Sequence, residues 1–370
     1  MNICIMTGAR PNFVKAAPIM HAIDKAKANG QNINGQLVFA GSKDDTTLEA
    51  SLFDDLKMRE PDAYLNVKCE NLNELTGQVM SAFEKYLQQH KTDAVIVVDD
   101  LASTMAAAIV AKKQGLLLAH LVAGTRSFDI NMPKEINRLV IDGLSDLLFT
   151  AGIGANCAVT KEGAEQSKVY MVGNILMDTL RMNMPRLKRP ELLDKAGLGD
   201  GQYIVFTLNR IALISDTDNL GEMLKALAKG SGKTPIIAPL RPLAAEAIKQ
   251  MDAYKAMPEG KLTIVEPLPY LEFGYITAHA KGIVTDSGNV AEEATFNGVP
   301  CITLNSYTEH IETVKIGTNI LVGENPGRLE EEAKKMASGQ WKQSSVPERW
   351  DGRTADRIIS ILLEKGKGLN

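Results

Sequence analysis

Four short stretches of this chain combine residue types that hold anions or move protons, each beside an apolar run. Residues 7–11 read T-G-A-R-P. Gly8 permits a tight turn, and Pro11 suits the first position of a helix. Arg10 then stands at a helix N-terminus, where N–H groups and the dipole favour a phosphate or carboxylate that its guanidinium can grip twice. A surface arginine on a loop fits the same letters. Residues 285–294 read T-D-S-G-N-V-A-E-E-A. Ser287, Gly288 and the N–H groups that follow, starting at Asn289, can cradle a diphosphate, and Glu292 or Glu293 can hold a ribose hydroxyl pair. A Ser/Asn-capped helix with acidic residues complementing its dipole needs no ligand and fits equally. Residues 99–104, D-D-L-A-S-T, place two carboxylates at a strand's carboxyl end, where ligands bind. The plainer alternative makes Asp100 the N-cap of a helix over 101–114. The fourth stretch, H-L-V-A-G-T-R-S-F-D at 120–129 with M-P-K-E-I-N-R at 132–138, contributes His120, Lys134, Glu135 and Arg138. Glu135 and Arg138 have ion-pair spacing on a helix, and a solvated pair is the plain reading.

These stretches must be positioned by something. Short Val/Ile/Leu-rich runs, typical of strands buried on both faces, lie at 2–7, 36–40, 94–99, 116–122, 146–150 and 168–172. A second set lies at 202–209, 234–238, 261–265, 282–286, 300–304 and 319–322. Helical patterns such as 72–89 and 220–229 fill the gaps, so each set predicts a parallel sheet with right-handed crossovers. The stretch 183–201, punctuated by Pro185, Pro190 and glycines, reads as a linker. The expected architecture is two doubly wound α/β domains, 1–174 and 175–349.

Composition narrows the chemistry. The chain has 370 residues with 41 Lys+Arg against 45 Asp+Glu, a net charge of −4, which offers no footprint for nucleic acid or an anionic membrane. A mean hydropathy of −0.09 and the absence of a long apolar run argue against a membrane span, and no signal peptide is read at the N-terminus. Cys4, Cys69, Cys157 and Cys301 form no C-x-x-C pair, and the five histidines show no metal spacing. Reduced buried thiols in a cytoplasmic protein without a metal are the expectation.

Taken together, G-A-R-P-N-F-V-K-A-A-P-I, D-D-L-A-S-T, A-G-T-R-S-F-D, M-P-K-E-I-N-R, V-G-N-I-L-M-D, T-D-S-G-N-V-A-E-E-A and the stretch 298–323 stand in the order and spacing of one family. From end to end the chain resembles the non-hydrolysing UDP-N-acetylglucosamine 2-epimerases. The resemblance implies a glycosyltransferase-B-like fold, with two Rossmann-like domains facing across a cleft that holds UDP or a UDP-sugar. It implies a C-terminal helix, within 350–370, that crosses back to the first domain. It further implies a cytoplasmic isomerase of nucleotide-sugar and cell-surface polysaccharide metabolism, a homodimer, and no cofactor. Position by position, Arg10 matches the family's phosphate-contacting arginine, Ser287 and Gly288 its diphosphate loop, and Glu293 its ribose-binding glutamate. Phe273 falls where the family stacks an aromatic on uracil, although its periodicity reads equally as core. Arg138 matches the arginine of E-E-x-N-R.

The family's acid–base set departs. Asp100 keeps the aspartate of G-D-T-T-T. Val122 stands for the glutamate of H-V-E-A-G-L-R, Lys134 for the first glutamate of P-E-E-x-N-R, Asn209 for the histidine of T-x-H-R, and Arg241 for that of P-V-H. Asn289 and Ala291 replace a glycine and a glutamine in the phosphate loop, and Asn305 and His310 replace two arginines. Asp99, Asp100, His120, Lys134 and Glu135 are the ionisable groups left for catalysis, with Asp100 a candidate base and Lys134 a candidate for stabilising a leaving diphosphate. A positioned acid or base contributes roughly 10²–10⁴-fold, so losing three should bring elimination and re-addition of UDP close to background. The pattern implies a nucleotide-sugar binder whose standard 2-epimerisation is doubtful. It could be a repurposed enzyme, such as a glycosyl transferase or hydrolase, or a non-catalytic binding or regulatory paralogue.

Overall fold

The computed structural model describes residues 1–48 and 51–366, which form two compact units. The first comprises Met1–Asn183 and Glu348–Asn370, the second Met184–Pro347. In the first unit seven strands, β1 (Asn2–Thr7), β2 (Asn34–Phe39), β3 (Ala63–Tyr64), β4 (Ala94–Val98), β5 (Leu117–Ala123), β6 (Leu147–Thr150) and β7 (Val169–Met171), make one parallel sheet. Its order is β3-β2-β1-β4-β5-β6-β7. The register sets Ile5 beside Leu37 on one side and Ile96 on the other. Every residue of β4 is fully buried, because A-V-I-V-V offers no polar side chain to either face.

The second unit holds β8 (Ile204–Phe206), β9 (Ile236–Pro239), β10 (Leu262–Val265), β11 (Gly282–Thr285), β12 (Cys301–Thr303) and β13 (Asn319–Leu321), all parallel. Their order is β10-β9-β8-β11-β12-β13. In each sheet the winding reverses beside the first strand, between β1 and β4 and between β8 and β11, and such switch points open the crevice where ligands bind.

Several boundaries differ from the sequence reading. Strand β3 was not expected: it is two residues long and follows Pro61 and Asp62. The stretch read as a linker carries structure, a 3₁₀ turn Met184–Arg186 and a helix Glu191–Lys195 whose Leu193 is fully buried. Helix Ile175–Asn183, assigned from sequence to the second domain, belongs to the first unit, where Thr179 Oγ1 donates to Val14 O at 2.5 Å. The C-terminal helix runs Thr354–Gly366, and residues 367–370 of the expected segment lie outside the described residues. Asp178, in helix Ile175–Asn183, accepts the Thr354 and Ala355 N–H groups and so caps that helix.

Candidate functional site

In the first unit the turn after β1 is closed by the chain itself. Asn12, buried in helix Arg10–Ala28, accepts the Gly8 and Ala9 N–H groups at 2.8 and 3.2 Å. These donors therefore do not await an anion, and a binding role for this turn rests on the half-buried Arg10 side chain. Gly8 has a packing cause: a Cβ there would lie 1.9 Å from Ser103 Oγ, so the start of helix Ala102–Lys113 could not approach. Asn12 Nδ2 and Lys15 Nζ both donate to the Asp99 carboxylate, at 2.9 and 2.5 Å. Asp99 is thus neutralised at the end of β4.

Asp100 does not cap a helix. Leu101 occupies the cap position of Ala102–Lys113, and the Asp100 carboxylate turns to Arg138, which donates through Nε at 2.8 Å and lies 2.6 Å away through Nη2. Lys134 Nζ, more than half exposed, stands 3.6 Å from the other oxygen. Burial alone would raise the Asp100 carboxyl, but the charges of Lys134 and Arg138 outweigh it and hold it below the usual range. It is an ionised, weakly basic carboxylate.

Glu135 and Arg138, expected as a solvated pair, are buried, with side chains 4% and 3% exposed and 3.0 Å apart. Glu135 also accepts Ser127 N, Ser127 Oγ and Phe128 N, at 2.9, 2.9 and 3.2 Å. Burial pushes Glu135 up, and these donors pull it lower than a free glutamate. Arg138 therefore bridges two carboxylates, one from the loop after β4 and one from its own helix, Pro133–Leu144.

A second buried network lies behind it. His120 Nδ1 meets Asp142 at 2.5 Å, and its Nε2 meets the Asp99 carbonyl at 3.0 Å. Asp142 also accepts Arg126 Nη2 at 2.7 Å and Gly124 N at 3.1 Å. Arg126 continues to Glu162, from Nε at 2.8 Å. Burial raises Asp142, but His120 and Arg126 outweigh it and depress it. Three non-glycine residues in and beside these networks hold positive φ: Asp99 (59°), Val122 (73°, within β5) and Phe128 (61°). For a β-branched valine this is a true outlier, at the irregularity where β5 shifts register against β6. Strained backbone persists where surrounding bonds over-determine it, and here those bonds come from His120, Asp142 and Glu135.

In the second unit helix Gly288–Asn297 begins at the end of β11. Ser287 is its N-cap, yet its side chain makes no capping bond and no acidic residue lies in the first turn. The Gly288, Asn289 and Val290 N–H groups precede the first helical bond, from Ala291 N to Ser287 O. A Cβ added at Gly288 would meet only open space. These donors, with the dipole behind them, suit an anion. Glu292 is 3% exposed and lies 3.4 Å from His310 Nε2, while the half-buried Glu293 is the more accessible of the two glutamates.

The loops beside this cradle are tied together. Asp286 accepts the Asn209 and Arg210 N–H groups, at 2.7 and 2.5 Å, and Asn305 Nδ2 donates to its carbonyl at 3.1 Å. Arg210 donates to Leu304 O at 3.0 Å and pairs with Glu324 at 2.7 Å. Asn209 is exposed beside this hub, and Arg241 is exposed at the N-cap of helix Pro242–Gln250. Phe273 is half-buried against the core that holds Val205 and Ile276.

The structure thus gathers Asp100, Lys134, Glu135 and Arg138 in the first unit, and Ser287, Gly288, Asn289 and Glu293 on one helix in the second. Sequence reasoning missed Asp142, Arg126, Arg210 and Asp286. A histidine on β5 with an arginine six residues on was the available signal for the first pair; nothing local marked the second. Among the described residues no acidic, histidine or cysteine cluster could hold a metal ion, and no helix is long and apolar enough to cross a membrane.

Comparison with known proteins gives these features a context. Residues 25–363 match the family model described as UDP-N-acetylglucosamine 2-epimerase. The chain is 32% identical over 370 residues to the UDP-N-acetylglucosamine 2-epimerase of Methanocaldococcus jannaschii, covering 98% of this chain and 99% of that protein. It is 31% identical over 365 residues to a Pseudomonas aeruginosa UDP-2,3-diacetamido-2,3-dideoxy-D-glucuronate 2-epimerase, at 98% and 99% coverage. The crystal structure of the M. jannaschii enzyme in complex with UDP-GlcNAc and UDP superposes with a TM-score of 0.83, at 32% identity and 98% and 100% coverage. The two parallel sheets accordingly place the fold in the two-domain glycosyltransferase-B-like class. By sequence over nearly its whole length and by fold, the chain belongs to the UDP-N-acetylglucosamine 2-epimerase family.

Proposed function

We propose that this protein binds a UDP-sugar of the N-acetylhexosamine class and does not carry out ordinary 2-epimerisation. The observation that carries the binding half is the start of helix Gly288–Asn297, where three N–H groups precede the first helical bond, the Ser287 side chain makes no capping bond, and a Cβ added at Gly288 would meet only open space. A diphosphate there would meet the helix dipole with no acidic side chain in the helix's first turn. The complex of the M. jannaschii relative with UDP-GlcNAc and UDP supports the ligand class. Arg10, Arg138, Asn209, Arg241, Phe273 and Glu293 are the further candidates for contacts along the nucleotide-sugar.

The catalytic half of the reading rests on Asp100. Removing the proton at the sugar's C2 needs a base, and a carboxylate held by Arg138 and Lys134 below its usual range is a poor one. Glu135 is engaged by four donors and is no better placed to take a proton. Val122 offers no acid or base at all. Cytoplasmic residence, a homodimer and a role in cell-surface polysaccharide metabolism follow from the family reading.

The test is calorimetry with UDP and UDP-GlcNAc, alongside incubation with UDP-GlcNAc and UDP-ManNAc in D₂O. Saturable binding with no deuterium at C2 and no free UDP is the expected result. Deuterium exchange at C2 would refute the loss of epimerisation, and absence of UDP binding would refute the ligand assignment. Transfer of the sugar to an added acceptor, with UDP released as the leaving group, would support a repurposed transferase instead.

A further inference from the structure

On the first unit, remote in sequence from the helix Gly288–Asn297 cradle, a groove of about 650 Å³ runs between edge strand β7 and the C-terminal helix Thr354–Gly366. Arg349, Arg353 and Arg357 line it, with Asp356 as its one acidic residue and Tyr170 and Ser360 completing its polar wall. In a chain of net charge −4 this is a local concentration of cations.

Two of the arginines have evident structural work. Arg349 Nη1 donates to Met171 O at 2.6 Å, which blunts the open edge of β7. Its φ of 63° is held in place by the buried Trp350, whose Nε1 donates to Ala151 O. Arg357 donates to Val172 O at 2.9 Å, and its charge is matched by Asp351 at 2.5 Å. Edge protection explains these two and leaves Arg353 unexplained. Arg353 is exposed, and among the described residues its guanidinium makes no hydrogen bond or ion pair. Asp356 does not neutralise it, since its own partner is Lys25, at 3.6 Å. Among the described residues the groove therefore presents the unengaged fork of Arg353 beside Arg349, whose charge has no acidic partner there.

We propose that this groove is a second anion site, taking a multiply charged oxyanion, either a phosphate or a polycarboxylate, between Arg353 and Arg349. Guanidinium groups match both chemistries, with two parallel hydrogen bonds apiece. Such a site is independent of uridine recognition and would allow the protein to respond to a metabolite other than its nucleotide-sugar.

The experiment titrates the full chain with inorganic pyrophosphate and, separately, with citrate, by calorimetry at low salt, with and without saturating UDP. One equivalent of either probe should bind in the presence of UDP, and the tighter probe identifies the anion's source. Arg353→Gln touches no structural bond, so it should melt as the wild type does yet bind at least about tenfold more weakly. Asp356→Asn removes the groove's carboxylate and should tighten binding severalfold. Lack of saturable binding at millimolar probe, full displacement by UDP, or an Arg353→Gln variant that binds like the wild type would each overturn the proposal.

Discussion

Replacing Asp142 by asparagine removes a buried negative charge from the centre of the first unit. Its side chain is 6% exposed and receives His120 at 2.5 Å, Arg126 at 2.7 Å and Gly124 N at 3.1 Å. Breaking a buried ion pair by removing one partner typically costs about 3–5 kcal/mol, because the other charge is stranded. Arg126 is not stranded here, since Glu162 still holds its Nε at 2.8 Å, so the lower bound of about 3 kcal/mol applies. In a unit of this size, each kcal/mol moves Tm by roughly 2–4 °C, which gives a drop of about 6–12 °C. Calorimetric melting at pH 7 measures it. The same scan against pH adds a second readout. Asp142 is depressed in the folded state, so its stabilisation is present above its unfolded value and is lost as pH falls through the folded one. The wild type should therefore lose stability on acidification more steeply than Asp142→Asn. A Tm shift under about 2 °C, with parallel acid limbs, would refute the view that this carboxylate holds the strained loops together.

Two further outcomes follow from the sites described. Gly288→Asp meets open space and adds an acidic residue to a helix first turn that has none; it should raise stability by about 0.3–1 kcal/mol while weakening UDP binding at least tenfold, read by melting and calorimetry on the same sample. Val122→Gly removes a β-branched side chain from φ 73°; relief of strain of roughly 1–2 kcal/mol outweighs the backbone entropy of glycine, so denaturant melts should show a net gain of about 0.5–1 kcal/mol.

The sheets were legible because most of their strands lie in apolar runs: among the described residues, twelve of the thirteen strands fall on stretches read from sequence as rich in Val, Ile and Leu. Strand β3 escaped because two residues carry no period. The helix start at Ser287 and Gly288 was legible for a related reason, since a helix start after a strand is a local event. The buried polar networks were not. Glu135 and Arg138 read the same whether solvated or buried, and only the donors of Ser127 and Phe128 decide between them. Asp100 followed a similar course: the residue that claims it, Arg138, lies 38 positions away, and local capping logic cannot see such a partner. Asp286 reaches back 77 residues to organise the loop at Asn209.

The discontinuity of the first unit constrains how the protein can be made. Helix Arg10–Ala28 is made before the second unit, but the helix that packs on it, Thr354–Gly366, is made only after the whole of that unit. Until then the apolar positions that Ile358, Ile359 and Leu362 will cover stand open to water and to other nascent chains. The second unit, contiguous in the chain, can close on its own while the ribosome is still at work. Ribosome stalling or premature termination before Trp350 would leave a half-finished first unit tethered to a finished neighbour, a natural substrate for holdase chaperones and proteases.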